Sequence, residues 1–202
     1  SVFYFGYHFF EKSREAEIRN IKLVSSRNEA ELQNLRTQLN PHFMFNSMNS
    51  IRALVDEDPG SAKVAITKLS NLLRGTLIAG KKDLLPLKEE MQIVKDYLDL
   101  EKIRFEERLH FSFDIPSSLN SAKFPPLLLQ TLVENAVKHG ISKLAKGGDV
   151  DVVARAEGNM LVIEVLNSGT YAPAEVLDST GIGLENSRRR LDLMFGPEGQ
   201  LE

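Results

Sequence analysis

The hydrophobic pattern of this chain changes its period once, close to Leu109. Upstream of that point, apolar residues recur at the three- and four-residue spacing of one face of an α-helix. From Leu109 to Ile115 they alternate with polar residues, which is the pattern of a half-buried strand. A chain of 202 residues is long enough for one large or two small domains. We therefore predict a helical region, then a boundary near Arg108, then a domain that contains a β-sheet.

Residues 1–39 predict a linker at the edge of a membrane. The aromatic run over residues 2–10 is too short to span a bilayer, which takes ~20 residues, but aromatic residues gather at its surface. The alternative is a hydrophobic terminal patch. The charged stretch that follows places Ile18, Ile21, Leu32 and Leu35 on heptad a and d positions. This spacing predicts a two-stranded coiled coil, with a lone surface helix as the alternative.

Residues 40–108 predict amphipathic helices that carry one exposed histidine. On a helical wheel of about 100° per residue, His42 and Asn46 lie opposite a broad apolar face. We expect that face to pack inward; it comprises Phe43, Met44, Phe45, Met48, Ile51, Leu54 and Val55. A second striped helix over residues 62–77 completes a hairpin, and two such hairpins in a homodimer would form a four-helix bundle. Alternatively, Asn40 simply caps a helix that begins at Pro41, and His42 is an ordinary surface residue.

A third helix is predicted from Pro86 to about Phe105, with Glu101 and Arg104 paired on its surface. Beyond residue 108, the patterns predict a helix over residues 126–139, strands over residues 149–156 and 160–166, and a helix from about Leu184 to Phe195. A sheet covered on one face by helices accounts for this half. Residues 199–202 resemble a turn before another strand, so we expect the domain to be truncated at its C-terminus.

Two polar constellations in the second half could carry chemistry. Glu134, Asn135, Lys138 and His139 share one face of the helix over residues 126–139, which is either a ligand-binding surface or an ordinary solvated face. Two closely spaced glycines, Gly181 and Gly183, precede the last helix, where backbone N–H groups can approach an anion. The alternative there is a flexible loop. This is no P-loop, because the lysine followed by serine or threonine is missing.

Composition excludes several classes of function. The sequence has no cysteine, so disulfides, cysteine-based metal sites and cysteine nucleophiles are excluded. The net charge is only -3, which gives no basis for nucleic acid as a partner.

Taken together, the motifs resemble those of the LytS-like sensor histidine kinases. Four of them occur in order, namely Asn40-Pro41-His42-Phe43-Met44-Phe45-Asn46, Tyr97-Leu98-x-x-Glu101-x-x-Arg104-Phe105, Leu132-Val133-Glu134-Asn135-Ala136-x-Lys138-His139-Gly140 after Pro125-Pro126, and Gly181-Ile182-Gly183-Leu184-x-Asn186-x-x-x-Arg190-Leu191. The resemblance implies a dimeric helical phosphoacceptor domain over residues 40–108. It also implies a Bergerat-type ATP-binding domain, an α/β sandwich, over residues 109–202.

The resemblance also implies roles for individual residues. His42 matches the phosphoacceptor, with Asn46 as its partner, and Asn135 matches the residue that holds Mg²⁺ against the ATP phosphates. Glu134 is our assignment for the general base, because Phe43 replaces the acid that often follows the histidine. The remaining residues expected at the nucleotide are Lys138, His139, Asn167, Gly169, Gly181, Gly183, Leu184, Asn186 and Arg190.

One substitution in the nucleotide motif predicts weakened binding. Where many such domains carry an aspartate that accepts from the adenine amino group, this chain has Asn167, which accepts without charge. The usual second glycine of that motif is also absent, since Tyr171 follows Gly169 and Thr170.

The resemblance implies autophosphorylation on His42, then transfer to an aspartate of a response regulator. The chain would be the cytoplasmic portion of a homodimeric cell-membrane protein. Two alternatives stay open: a signalling pseudokinase whose ATP domain acts as a scaffold, and an ATPase or protein serine kinase.

Overall fold

The computed structural model describes residues 40–169 and 181–201, and the described residues from Pro41 onward belong to one compact unit. The coiled coil and membrane edge predicted for residues 1–39 lie outside the described residues, as does Tyr171. None of the helices in the described part is both long enough and apolar enough to cross a bilayer.

The described part of the chain opens with a helical hairpin, as predicted. Helix α1 spans Pro41–Glu57 and helix α2 spans Pro59–Ala79, so only Asp58 separates them. Its carboxylate accepts from the backbone N–H groups of Gly60 and Ser61, each at 3.1 Å, and Pro59 occupies the first helical turn. An aspartate cap followed by proline is a strong start signal, and it makes the connection very short.

The buried face of α1 is narrower than the sequence predicts. Phe43, Ser47 and Ile51 are buried and lie four residues apart, which is a single edge of a helix. Within this single chain the prediction was wrong for Phe45, which is 70% exposed, and for Met48 and Val55, whereas Met44 and Leu54 are half-buried. In α2, Ile66 and Leu77 are likewise exposed rather than buried. The four-helix bundle of a dimer remains a prediction.

Helix α3 spans Leu87–Phe105 and packs against α1 and α2. It begins one residue after Pro86. The periodicity predicts an inward row of Leu87, Met91, Val94 and Leu98, of which Met91 is half-buried and the other three are buried. The predicted surface pair is not on the surface, because Glu101 is only 3% exposed, with its Oε2 2.5 Å from Nη2 of Arg104. Periodicity places Glu101 correctly on the helix, but only packing decides that its face is covered.

The second half contains a mixed sheet. A short ladder first pairs β1 (Leu85–Pro86) with β3 (Lys123–Phe124). The larger sheet has the order β2-β4-β5, and its strands are β2 (Leu109–Asp114), β4 (Gly148–Glu157) and β5 (Met160–Asn167). Strands β2 and β4 are parallel, whereas β4 and β5 form an antiparallel hairpin. The alternation that predicted β2 is confirmed, and so is the hairpin, whose Gly158 has a positive φ of 61°.

The helices of the second half differ from the predictions at their ends. Helix α4 spans Leu128–Asn135 and continues as a π-helical segment over Ala136–Gly140, where a continuous α-helix was predicted. Helix α5 spans Gly181–Phe195, so Gly181 and Gly183 belong to its first turn rather than to a preceding loop. The fold is thus α plus β with a mixed sheet, and the domain boundary near Arg108 remains a prediction.

Candidate active site

His42 lies exposed in the first turn of α1, as the sequence predicts. The Nδ2 atom of Asn46, one helical turn away, is 3.3 Å from both ring nitrogens of His42. A neutral imidazole has one unprotonated nitrogen, and an amide N–H can donate to it. Asn46 therefore restrains the ring while the ring remains accessible from solvent.

The residue after His42 anchors it to the body of the molecule. Phe43 is buried and stacks on Tyr97 of α3, with 4.9 Å between the ring centroids and 39° between the ring planes. Aromatic pairs of this kind contribute about 0.5–1.5 kcal/mol beyond their buried area. The Phe43–Tyr97 contact therefore fixes the turn that carries His42 against α3.

Tyr97 also lies close to a pair of carboxyl groups. Burial raises the pKa of Tyr97 well above its usual value, and the negative charges of Glu101 and Glu134 raise it further. Burial raises the pKa of Glu101 to about 7, the charge of Arg104 opposes this rise, and that of Glu134 adds to it. Tyr97 thus contacts Phe43, which lies in the same helical turn as His42, and it is also close to Glu134 of α4.

Glu134 is held in place within its own helix. Its Oε1 accepts a hydrogen bond from Nε2 of Gln130, one turn earlier, at 2.7 Å. The next residue, Asn135, ends α4 and is half-buried. Among the described residues, Nδ2 of Asn135 is buried and has no hydrogen-bond partner. An unsatisfied buried donor costs about 1–3 kcal/mol, so this amide is suited to a polar ligand.

Two glycines bring the ends of two motifs into contact. A Cβ atom on Gly140 would lie 2.2 Å from Nδ2 of Asn167, and one on Gly169 would lie 2.4 Å from Cα of Gly140. At Gly169 the obstacle is backbone, so glycine is required there, whereas a side chain at Gly140 would displace that of Asn167. The Asn135 motif and the Asn167 motif therefore lie together, which fits the prediction that both serve one nucleotide.

The end of β5 is fixed by Ser168. Its hydroxyl accepts from the backbone N–H of Asp149 at 2.8 Å and donates to the carboxylate of Asp149 at 3.1 Å. Its own N–H donates to the carbonyl of Asp149 at 3.1 Å. These bonds hold the strand end that carries Asn167.

Helix α5 supplies the remaining predicted residues. Gly183 lies beside α4, since a Cβ atom there would be 3.6 Å from Cγ2 of Thr131. Arg190 is half-buried, and its Nη1 donates to the carbonyl of Pro126 at 2.6 Å, just before α4. Leu184 and Asn186 are exposed on α5, as is Lys138 beside a half-buried His139. Their contacts with a nucleotide remain predictions.

The residues around Asn135 fit a magnesium ion that arrives with its nucleotide. Among the described residues, no cluster of three or more histidine or acidic side chains could hold a metal alone. Mg²⁺ is commonly bound by one or two protein groups together with substrate phosphates and waters. The amide oxygen of Asn135 can serve as such a group.

Comparison with known proteins identifies the family. Residues 30–109 match the histidine kinase family, and this range includes His42 and all of α1 to α3. The sensor protein LytS of Enterococcus faecalis is 36% identical over 196 residues, which is 92% of this chain and 33% of that protein. The chain belongs to the LytS-like family of sensor histidine kinases.

Further relatives agree with this assignment. LytS of Staphylococcus saprophyticus is 37% identical over 185 residues. The match covers 86% of this chain and 31% of that protein. The sensor histidine kinase BtsS of Escherichia coli is 37% identical over 171 residues, 84% of the chain and 30% of that protein. The chain spans about a third of the length of these curated relatives.

Sequence reasoning missed several residues of this site. Gln130 acts through a contact within its own helix and belongs to no motif, whereas Tyr97 belongs to the second motif but was given no role, because its contact with Phe43 joins two helices. Glu90, in the first turn of α3, is fully buried against the start of α4. The available signal was a glutamate on the same helix face as Leu87 and Val94, but it cannot identify a partner 37 residues away.

Because Glu90 and Glu101 are buried carboxyl groups, we predict that the free energy of unfolding falls as pH rises. Burial raises the pKa of Glu90 and that of Glu101 from 4.5 to about 7. Between these values the folded state binds more protons than the unfolded state, so stability is lost as pH rises through 7. We expect the free energy of unfolding to fall by a few kcal/mol from pH 5 to pH 8, since one pKa unit is about 1.4 kcal/mol.

Urea unfolding at constant ionic strength measures this profile. Glu101→Gln should flatten it, whereas Glu107→Gln, at an exposed position two residues after α3, should leave it unchanged. Stability that rises across the same pH range would contradict the prediction.

Proposed function

We propose that this chain is the catalytic segment of a two-component sensor kinase that uses ATP to phosphorylate His42. The observation that carries the proposal is an exposed histidine whose turn is anchored, through Phe43 and Tyr97, beside the helix that ends in Asn135. The phosphoryl group would then pass to an aspartate of a response regulator. We also propose a homodimer and, for this part of the protein, a cytoplasmic location beside the membrane.

The proposed reaction is an in-line displacement. A neutral ring nitrogen of His42 attacks the γ-phosphorus of ATP, the bond to the bridging oxygen breaks, and ADP leaves with that electron pair. The proton on the other ring nitrogen passes to the carboxylate of Glu134, which Gln130 holds in position. Bound Mg²⁺ would neutralise charge on the phosphates. Asn46 restrains the ring, and catalysis rests mainly on such positioning.

Labelling with γ-³²P ATP and Mg²⁺ tests the proposal. Phosphohistidine is labile in acid and stable in alkali, so the label should be lost at low pH and retained at high pH. Acid-stable, alkali-labile label would favour a protein serine kinase, and ATP hydrolysis without any label would favour an ATPase. Binding of ATP with neither label nor hydrolysis would favour the pseudokinase scaffold.

We predict that the side chain at position 167 determines how tightly adenine is bound. Asn167→Asp is nearly isosteric and gives the adenine amino group a charged acceptor, which is about 1 kcal/mol stronger. We expect the Kd for ATP to fall about fivefold by calorimetry. GTP has a carbonyl where ATP has the amino group, so its affinity should not improve. Equal gains for both nucleotides would contradict this role for Asn167.

A further inference from the structure

Helix α4 has no cap of its own. The residue at its N-cap position is Leu127, whose side chain cannot accept a hydrogen bond, and two prolines precede it. The first N–H groups of any helix lack partners within that helix, and a buried one is costly if unpaired. The start of α4 therefore needs acceptors from another part of the chain.

Glu90, in the first turn of α3, supplies those acceptors. Its Oε2 accepts from the backbone N–H of Leu127 at 2.9 Å, and its Oε1 accepts from the backbone N–H of Gln130 at 3.2 Å. The side chain is fully buried, with 0% exposure. A negatively charged group at a helix N-terminus also interacts favourably with the helix dipole. One carboxylate thus caps a helix that begins 37 residues later.

The backbone at Leu127 is strained and is held by several bonds. Its φ of 60° and ψ of 9° place a leucine in the left-handed region, which costs about 1–3 kcal/mol. The carbonyl of Leu127 accepts from both the N–H and the hydroxyl of Thr131, at 3.1 and 2.7 Å. Glu90 holds the N–H of the same residue. Without Glu90, Leu127 could relax to a commoner conformation and shift the start of α4.

Helix α5 reaches the same point. Arg190 donates to the carbonyl of Pro126, one residue before Leu127, and its positive charge partly opposes the rise that burial causes in the pKa of Glu90. The start of α4 is therefore fixed from two sides, by α3 through Glu90 and by α5 through Arg190.

We propose that Glu90 is a positioning residue for the nucleotide site, because it fixes the helix that ends in Asn135. This inference rests on the proposed function of Asn135. Helix α4 has only eight residues, about 12 Å, and a helix this short moves as a rigid rod. A displacement at Leu127 therefore moves Asn135 as well. The contact also connects α3, which follows the hairpin of His42, directly to the nucleotide site.

Kinetics of His42 labelling in the full chain test the proposal. Glu90→Ala should raise the KM for MgATP at least tenfold and change the saturating rate less than threefold. Glu90→Gln keeps one acceptor oxygen, so its KM should lie between those of wild type and Glu90→Ala. Glu89→Ala is the matched control, since Glu89 is exposed on the same turn and contacts Lys82.

The role of Glu90 would be overturned by a KM for Glu90→Ala within twofold of wild type, whether or not the saturating rate or the melting temperature falls. Should Glu90→Ala fail to fold by circular dichroism, the KM of Glu90→Gln decides, and a wild-type value would overturn the proposal.

Hydrogen exchange tests whether Glu90 caps α4 without relying on the proposed kinase activity. The amides of Leu127 and Gln130 should exchange faster in Glu90→Ala than in wild type or in Glu89→Ala. Should wild-type protein neither bind MgATP nor become labelled, the proposed function fails, and with it the role of Glu90 at a nucleotide. Unchanged exchange in Glu90→Ala would overturn the inference even in a fully active kinase.

Discussion

Replacing His42 by glutamine is expected to abolish phosphorylation of the chain by MgATP. Glutamine keeps a polar side chain of similar length but has no nucleophilic nitrogen, so the reaction loses its acceptor. We expect incorporation of ³²P to fall more than 100-fold, to background. Binding of MgATP should change less than twofold, because the proposed nucleotide site is built on α4, β5 and α5 rather than on α1.

A second histidine provides the matched control. His110 is exposed on strand β2 and belongs to none of the four motifs, so His110→Gln should label like wild type. Phosphopeptide mapping should place the label within α1. Label that survives in His42→Gln at the wild-type level would remove His42 from the reaction.

Replacing Asn135 by aspartate is expected to disable the nucleotide site. The change is nearly isosteric, but it removes the buried Nδ2 donor and adds a negative charge beside the proposed phosphates. Losing a hydrogen bond to a charged group costs about 1.5–3 kcal/mol, which corresponds to roughly 10- to 100-fold in affinity. We expect MgATP binding by calorimetry to weaken by this factor and labelling of His42 to fall at least as much.

Asn159→Asp is the control for the change of charge. Asn159 is exposed in the hairpin between β4 and β5, so this variant should bind and label normally. If Asn135→Asp binds MgATP and labels His42 at wild-type levels over a range of Mg²⁺ concentrations, Asn135 does not belong to the site.

Local elements could be predicted from the sequence because their signals are local. Alternation predicted β2 within one residue, and the stripe over residues 62–77 predicted a helix, which the structure has over Pro59–Ala79. The exposure of His42 was also predictable from its position on the helical wheel. The ends of α4 and α5 were less accurate, because a π-helical segment and two helical glycines depend on neighbouring elements rather than on local propensity.

The face that each helix buries was less predictable. The apolar side of α1 is wide enough for two interfaces, and periodicity cannot say which of them packs within this chain. Phe43 and Ile51 pack inward while Phe45 is exposed. Glu101 shows the same effect, since a carboxylate paired with Arg104 was expected in solvent and is instead buried beside Tyr97.

The sequence by itself determined the elements, the order of the motifs, the exposed His42 and, through those motifs, the family. The tertiary structure alone decided that Phe43 stacks on Tyr97, that Gly140 and Gly169 meet at Asn167, and that Glu90 caps α4. The physical reason is the range of the interactions. Periods, caps and turns act within a few residues, whereas these contacts join residues far apart in the chain and exist only once the helices and the sheet have packed.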